Sequence, residues 1–170
     1  DLWKSTFLNY WRVPTKKPKK PFLLVSSNMN YCNNIKSPLE EVKMLKDLGS
    51  LQRNSKMFNG YFEQLAEDSF KTSDFVEAIK HLAYKNNEYD IVLRPHPAED
   101  INAWRLYLEN IPNVHVIREG SITAWVNNAF AVMHNGCTTA LEASMIGKPI
   151  ITYLPSNRKF MKNFPNKLGF

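Results

Sequence analysis

A chain of 170 residues, 44% hydrophobic and 12% aromatic, has the length for one domain with a buried core and is too apolar to remain disordered. Its two cysteines, Cys32 and Cys137, are far apart and lack metal-ligand spacing, which argues against a disulfide framework or a zinc site and fits a reducing, cytoplasmic setting. The net charge of +6 sits at the ends: residues 1–20 carry six Lys/Arg against Asp1, residues 148–170 carry five and no acid, and the middle is left at −4.

No apolar run reaches the roughly 18 residues of a membrane span, and the N-terminus lacks a signal-peptide pattern. The basic ends suit solvated segments, with peripheral contact at an anionic inner-membrane surface as a further expectation. Nucleic acid is not an expected partner, because basic and aromatic residues do not interleave in the middle of the chain.

Leu2, Trp3, Phe7, Leu8, Tyr10 and Trp11 are spaced for one short helix, and Pro14, Pro18 and Pro21 then interrupt a Lys-rich stretch. Residues 1–21 therefore read as an interdomain linker. Phe22–Ser26 is the first strand, and polar Ser26-Ser27-Asn28 ends it. A helix is expected from Pro38 to Leu48. Apolar positions at helical spacing predict two more, over 57–70 and 74–86, the second capped by Asp74.

Ile91-Val92-Leu93 is a buried strand running into Arg94-Pro95-His96-Pro97. Asp100 is placed to cap a helix over Ile101–Leu108. Val114–Ile117 is a strand, Ser121 caps a short helix through Val126, and Phe130–Met133 is the next strand. After it, His134-Asn135-Gly136-Cys137-Thr138-Thr139 makes a tight turn. Thr138 or Thr139 caps a helix that Gly147 ends and Pro149 cannot continue. Ile150, Ile151 and Tyr153 make the last strand.

This order predicts an α/β fold: a Rossmann-like open parallel sheet with helices on both faces. Residues 22–155 form that domain, and 156–170 a basic C-terminal segment. In such a sheet the ligand lies beyond the carboxyl ends of the strands. Three polar loops fall there: Ser26–Asn28, Arg94–Pro97 and His134–Thr139.

A glycine turn feeding a helix start offers N–H groups to a phosphate, so Asn135, Gly136, Cys137, Thr138 and Thr139 are candidate contacts for a phosphate-bearing ligand, with Ser26 beside them. His96, held between two prolines, is aimed to donate to a phosphate oxygen. Arg94 can add a second cation if it shares the face of His96. His134 can serve as a base, although covalent catalysis through Cys137 is disfavoured. Glu142 can accept both hydroxyls of a ribose. Glu99 and Asp100 read as first-turn acids, Glu119 as a weak candidate, and His81 and His115 as structural.

At Glu142-Ala143, Gly147-Lys148-Pro149 and Ile150-Ile151 the sequence resembles the nucleotide-sugar-binding half of GT-B glycosyltransferases. In that resemblance Glu142 binds the donor ribose. Many retaining members carry a second glutamate eight residues earlier, where this chain has His134, so that group's donor sugar and stereochemistry do not carry over. His96-Pro97 with Thr138-Thr139 is similar to the donor-phosphate motifs of capsule and lipopolysaccharide transferases that use CMP-sugars.

The resemblance covers roughly residues 90–155, with Phe22–Asn28 as a first strand. It implies the donor-binding half of a longer enzyme, with a saccharide or lipid-linked acceptor and a catalytic base on a missing N-terminal domain. It implies no cofactor and no metal, the helix start and imidazole taking the metal's place. A UDP-N-acetylglucosamine 2-epimerase-like protein, a teichoic-acid-type glycerophosphotransferase and a non-catalytic nucleotide-binding module remain alternatives.

Overall fold

The computed structural model describes residues 17–49 and 55–154, with side chains in the second segment from Phe58 onward. The expected helix over 2–11, most of the expected linker and the segment 156–170 lie outside the described residues. Lys17–Pro21 leads without regular structure into β1 (Phe22–Ser26).

The elements then follow in this order: α1 (Pro38–Asp47), α2 (Ser55–Lys85), β2 (Asp90–Arg94), α3 (Ile101–Tyr107), β3 (Val114–Val116), α4 (Ile122–Asn128), β4 (Ala131–His134), α5 (Thr139–Ile146) and β5 (Ile150–Thr152). All five strands are parallel, in the order β3-β2-β1-β4-β5. The fold is therefore the expected α/β open sheet.

Every residue of β1, β2 and β4 is buried, because both faces of the sheet are covered. Alternation along the strands divides the core in two. Leu23, Val25, Ile91, Leu93, Ala131 and Met133 face Phe75, Val76, Ile79 and Ala83 of α2, together with Trp104 and Leu108. Phe22, Leu24, Val92, Val132 and Ile150 face Trp125 and Val126 of α4 and Ala140 and Ala143 of α5. The small side chains of α5 let its backbone approach the sheet closely. That approach places the start of α5 against the end of β1.

Local signals set most helix ends. Ser37 and Glu40 form a reciprocal capping box, with Pro38 in the first turn of α1. Asp100 accepts from the Asn102 N–H at the start of α3. Gly147 ends α5 with φ of 75°, a left-handed conformation that a residue with a Cβ adopts only with strain.

Two expectations are corrected. Residues 57–70 and 74–86 are not separate helices but parts of the single helix α2, and Asp74 lies inside it rather than at a cap. No Gly or Pro interrupts residues 61–85, and the Thr72 hydroxyl bonds the Asp68 carbonyl one turn back, so nothing diverts the backbone. Ser121 stands at the N-cap of α4 but makes no capping bond with its side chain.

No helix among the described residues is long and apolar enough to cross a membrane.

Candidate functional site

The strand order reverses between β1 and β4, and this reversal positions the site. From β1 the chain steps outward to β2 and β3; it then returns to the other side of β1 for β4 and β5. A crevice forms at such a reversal, beyond the carboxyl ends of the strands. Register places Arg94, Ser26, His134 and Thr152 in one row across that edge. The three polar loops expected there do share it.

The crevice floor is a cluster of small polar groups. Ser26 Oγ lies 3.1 Å from Thr139 Oγ1 and 3.2 Å from Cys137 Sγ, and Cys137 Sγ lies 3.1 Å from Thr139 Oγ1. These bonds tie the end of β1 to the start of α5. They also alter the expected capping. Thr138 is exposed, has helical backbone angles and makes no capping bond, while the Thr139 hydroxyl turns to Ser26. The start of α5 is thus left without a side-chain cap, beside the loop after β1. Cys137 and Cys32 are both free thiols.

His134, expected as a ligand contact or base, has both ring nitrogens engaged within the fold. It is fully buried; Nδ1 accepts the Gly136 N–H at 3.0 Å, and Nε2 lies 3.0 Å from Thr152 Oγ1. Since Nδ1 accepts, the neutral ring carries its proton on Nε2 and donates to Thr152. Burial lowers its pKa to about 4. The contact to Gly136, whose φ is 112°, fixes the turn. Asn135 reaches across to the β1 loop, with Nδ2 3.1 Å from Met29 Sδ, and its Oδ1 is buried without a partner.

Arg94, expected as a second cation beside His96, turns its guanidinium to backbone carbonyls. Its guanidinium donates to the carbonyls of Glu119 at 2.6 Å, Gly120 at 2.9 Å and Arg118 at 3.1 Å, and lies over the Trp125 ring. It organises the loop between β3 and α4 instead of offering a charge beside His96. Burial, then the nearby Arg118 charge, lower its pKa to about 10, so it stays charged at neutral pH. Arg118 returns the bracing, donating to the carbonyls of His96 and Glu99. Each of the two neighbouring loops thereby holds the other's carbonyls.

His96 is half-buried and accepts the Ala98 N–H on Nδ1 at 3.2 Å. Burial, then the charge of Arg118, push its pKa below the usual histidine value, so the ring is neutral at pH 7. With Nδ1 accepting, the proton sits on Nε2 as a donor. Glu142, in the first turn of α5, accepts from Thr123 Oγ1 at 2.5 Å and so links α5 to α4. The side chain of Glu119 is exposed, while its carbonyl accepts from Arg94 and from the Trp125 indole.

Sequence reasoning missed Glu99. It precedes the cap of α3 and is not a first-turn acid; its side chain is fully buried. Its carboxylate accepts from Ser27 Oγ at 2.7 Å, Met29 N–H at 2.6 Å and Trp104 Nε1 at 2.5 Å. One signal was available: a buried indole N–H needs an acceptor, and Trp104 follows Glu99 by five residues, across the start of α3. Asp68 of α2 was also missed; it accepts from the Tyr31 N–H on the far side of the same loop.

Among the described residues no three His, Cys, Asp or Glu side chains converge as a metal ion would need.

No family model matches the chain, and no curated protein matches it. Among solved structures it is similar to an S. aureus MnaA–UDP co-structure, with TM-score 0.47 and 12% identity, over 85% of this chain and 32% of that one. It is also similar to two structures of KpsC from Thermosulfurimonas dismutans. One is described as a beta Kdo 2,4 transferase (TM-score 0.36, 17% identity, 83% of this chain, 36% of that one). The other is described as a beta Kdo 2,7 transferase (0.41, 14%, 98% and 50%). The chain thus spans half or less of the length of each.

Proposed function

We propose that this chain is the donor-binding unit of a glycosyltransferase that builds bacterial surface polysaccharide, and that it holds a nucleotide-sugar, with a CMP-sugar as the first candidate. The observation that carries the reading is the uncapped start of α5 at the strand-order reversal, packed against the end of β1. A helix start there directs N–H groups and the positive end of its dipole toward the crevice. On the same sheet edge, one strand beyond β1, the loop after β2 offers a neutral imidazole with its donor on Nε2.

In this reading the Thr138 hydroxyl and the N–H groups of the turn entering α5, at Thr138 and Thr139, hold the donor phosphate, while those of Ala140 and Leu141 are taken by the Cys137 and Thr138 carbonyls. His96 Nε2 donates to a phosphate oxygen as negative charge develops on the leaving group. Glu142, already oriented by Thr123, accepts a ribose hydroxyl. Ser26, Cys137 and Thr139 shape the floor, while His134, Gly136 and Arg94 set the loops that carry these groups. The acceptor, a free or lipid-linked saccharide, and the base that activates it come from another domain. The start of α5 and the His96 imidazole supply the charge stabilisation in this reading.

The test is thermal stabilisation of the chain by CMP, CDP, UDP and GDP, with His96→Ala as control. A nucleotide at about 100 times its dissociation constant adds about 2.7 kcal/mol. Stabilisation by one nucleotide that is lost in His96→Ala is the expected result; equal stabilisation of both proteins removes His96 from the site.

A further inference from the structure

We propose that Glu99 is the positioning residue of the crevice: its carboxylate fixes the Ser27–Met29 loop in the arrangement that receives the nucleotide, and its backbone ties that loop to His96. The proposal rests on the nucleotide-binding reading above.

Glu99 joins four parts of the fold. Its two oxygens collect donors from Ser27 and Met29 in the loop after β1 and from Trp104 on α3. Its carbonyl accepts from Arg118, which also holds the His96 carbonyl. Backbone bonds from Ile35 N–H to the Ala98 carbonyl and from Asp100 N–H to the Asn33 carbonyl run alongside, with Asn34 and Glu99 forming an isolated antiparallel bridge. The loops after β1, β2 and β3 are therefore tied to one another.

The choice of residue is informative. All three side-chain partners are donors, and two of them, the Met29 N–H and the Trp104 indole, cannot reverse. An acceptor-only group is required, and an ionised carboxylate meets that requirement where an amide would turn a donor toward a donor. Yet no cation pairs with this carboxylate among the described ion pairs. Burial raises its pKa, only partly opposed by the three donors, and the charge of Asp68 raises it further. Keeping such a charge buried works against stability at neutral pH, as is common for groups retained for a site.

Protonation would place a hydrogen among donors and loosen the loop. The charged or titratable groups around Glu99 are Asp68 on α2, Arg118 after β3, Cys32 on the loop after β1, whose thiol pKa burial raises and the Glu99 charge raises further, and His96 and Asp100 on its own loop. His96 titrates in both parent and variant, so the comparison between them isolates Glu99.

The experiment measures the affinity of the full chain and of Glu99→Gln for CMP, CDP, UDP and GDP at about pH 7.5 and about pH 5, together with amide hydrogen exchange of residues 27–30. We expect Glu99→Gln to bind about tenfold more weakly at the higher pH, the loss of roughly one charge-assisted hydrogen bond. We also expect it to lose part of the parent's pH dependence and to exchange faster at Met29. Ser27→Ala, which removes one of the three donors and leaves the carboxylate, should weaken binding less and serves if Glu99→Gln does not fold. Unchanged affinity, pH dependence and exchange in a folded variant overturn the proposal while leaving the nucleotide reading intact. Absence of nucleotide binding by the parent defeats that reading, and the proposal with it.

Discussion

Replacing Arg94 with Met removes a buried charge while keeping most of the aliphatic stem, and so tests whether this arginine braces the loop after β3. Three carbonyls, those of Arg118, Glu119 and Gly120, lose donors, and the Trp125 ring loses its cation. A hydrogen bond to a charged donor contributes about 1.5–3 kcal/mol. The three are not additive, because Glu119 and Gly120 are exposed and water can replace part of what they lose. Removing a desolvated guanidinium also recovers some of the cost of burying it.

The net expectation is a loss of about 3 kcal/mol, or a midpoint lower by about 6–12 °C for a chain of this size. Arg94→Lys should recover only part of it, since one ammonium cannot span three carbonyls. Urea unfolding of both variants measures the difference. A change in Arg94→Met within about 0.5 kcal/mol, the level of an ordinary surface substitution, refutes the bracing role.

His134 should make stability depend on acid. Its folded pKa of about 4 lies below the unfolded value, so its contribution is complete above about pH 6.5 and is lost as pH falls toward 4. The loss amounts to about 3 kcal/mol, and His134→Gln, which cannot titrate, should flatten that part of the profile in urea unfolding at several pH values; an unchanged profile contradicts the buried neutral ring. Two of the glycines with open surroundings, Gly147 and Gly60, should respond in opposite directions. Gly147→Ala meets no neighbour but must hold a left-handed φ of 75°, and should cost about 1 kcal/mol. Gly60→Ala, inside α2 with equal space, should stabilise by about 0.5–1 kcal/mol; thermal midpoints that move in the same direction would count against this account.

Much of the sheet was legible because β1, β2 and β4 are continuous apolar runs bounded by polar or Pro/Gly loops, the pattern of strands covered on both faces. The crevice followed from topology: once the strands are parallel, the loops after Ser26, Arg94 and His134 must share an edge. What escaped depends on distant partners. A row of polar residues around Asp74 resembles a helix start, and only the lack of a breaker distinguishes it from the middle of α2. Alternation along β2 assigns Arg94 a face but not the three carbonyls of a loop 24–26 residues away. Glu99 fits the local pattern of a first-turn acid, whereas its role arises from Ser27 and Met29, 72 and 70 residues earlier. His134 lies in the most informative stretch of sequence and is turned inward by Thr152, a residue on the next strand.

The central claim is that a nucleotide phosphate binds at the start of α5 between the loops after β1 and β2. Amide and imidazole NMR of the full chain, titrated in turn with CMP, CDP, UDP and GDP, tests it most directly. The account predicts saturable shifts for at least one nucleotide at Asn28, Thr138, Thr139 and the His96 ring, with little change at the outer edge around His115. No shift with any of the four, or shifts that leave Thr138 and His96 unmoved, would contradict it.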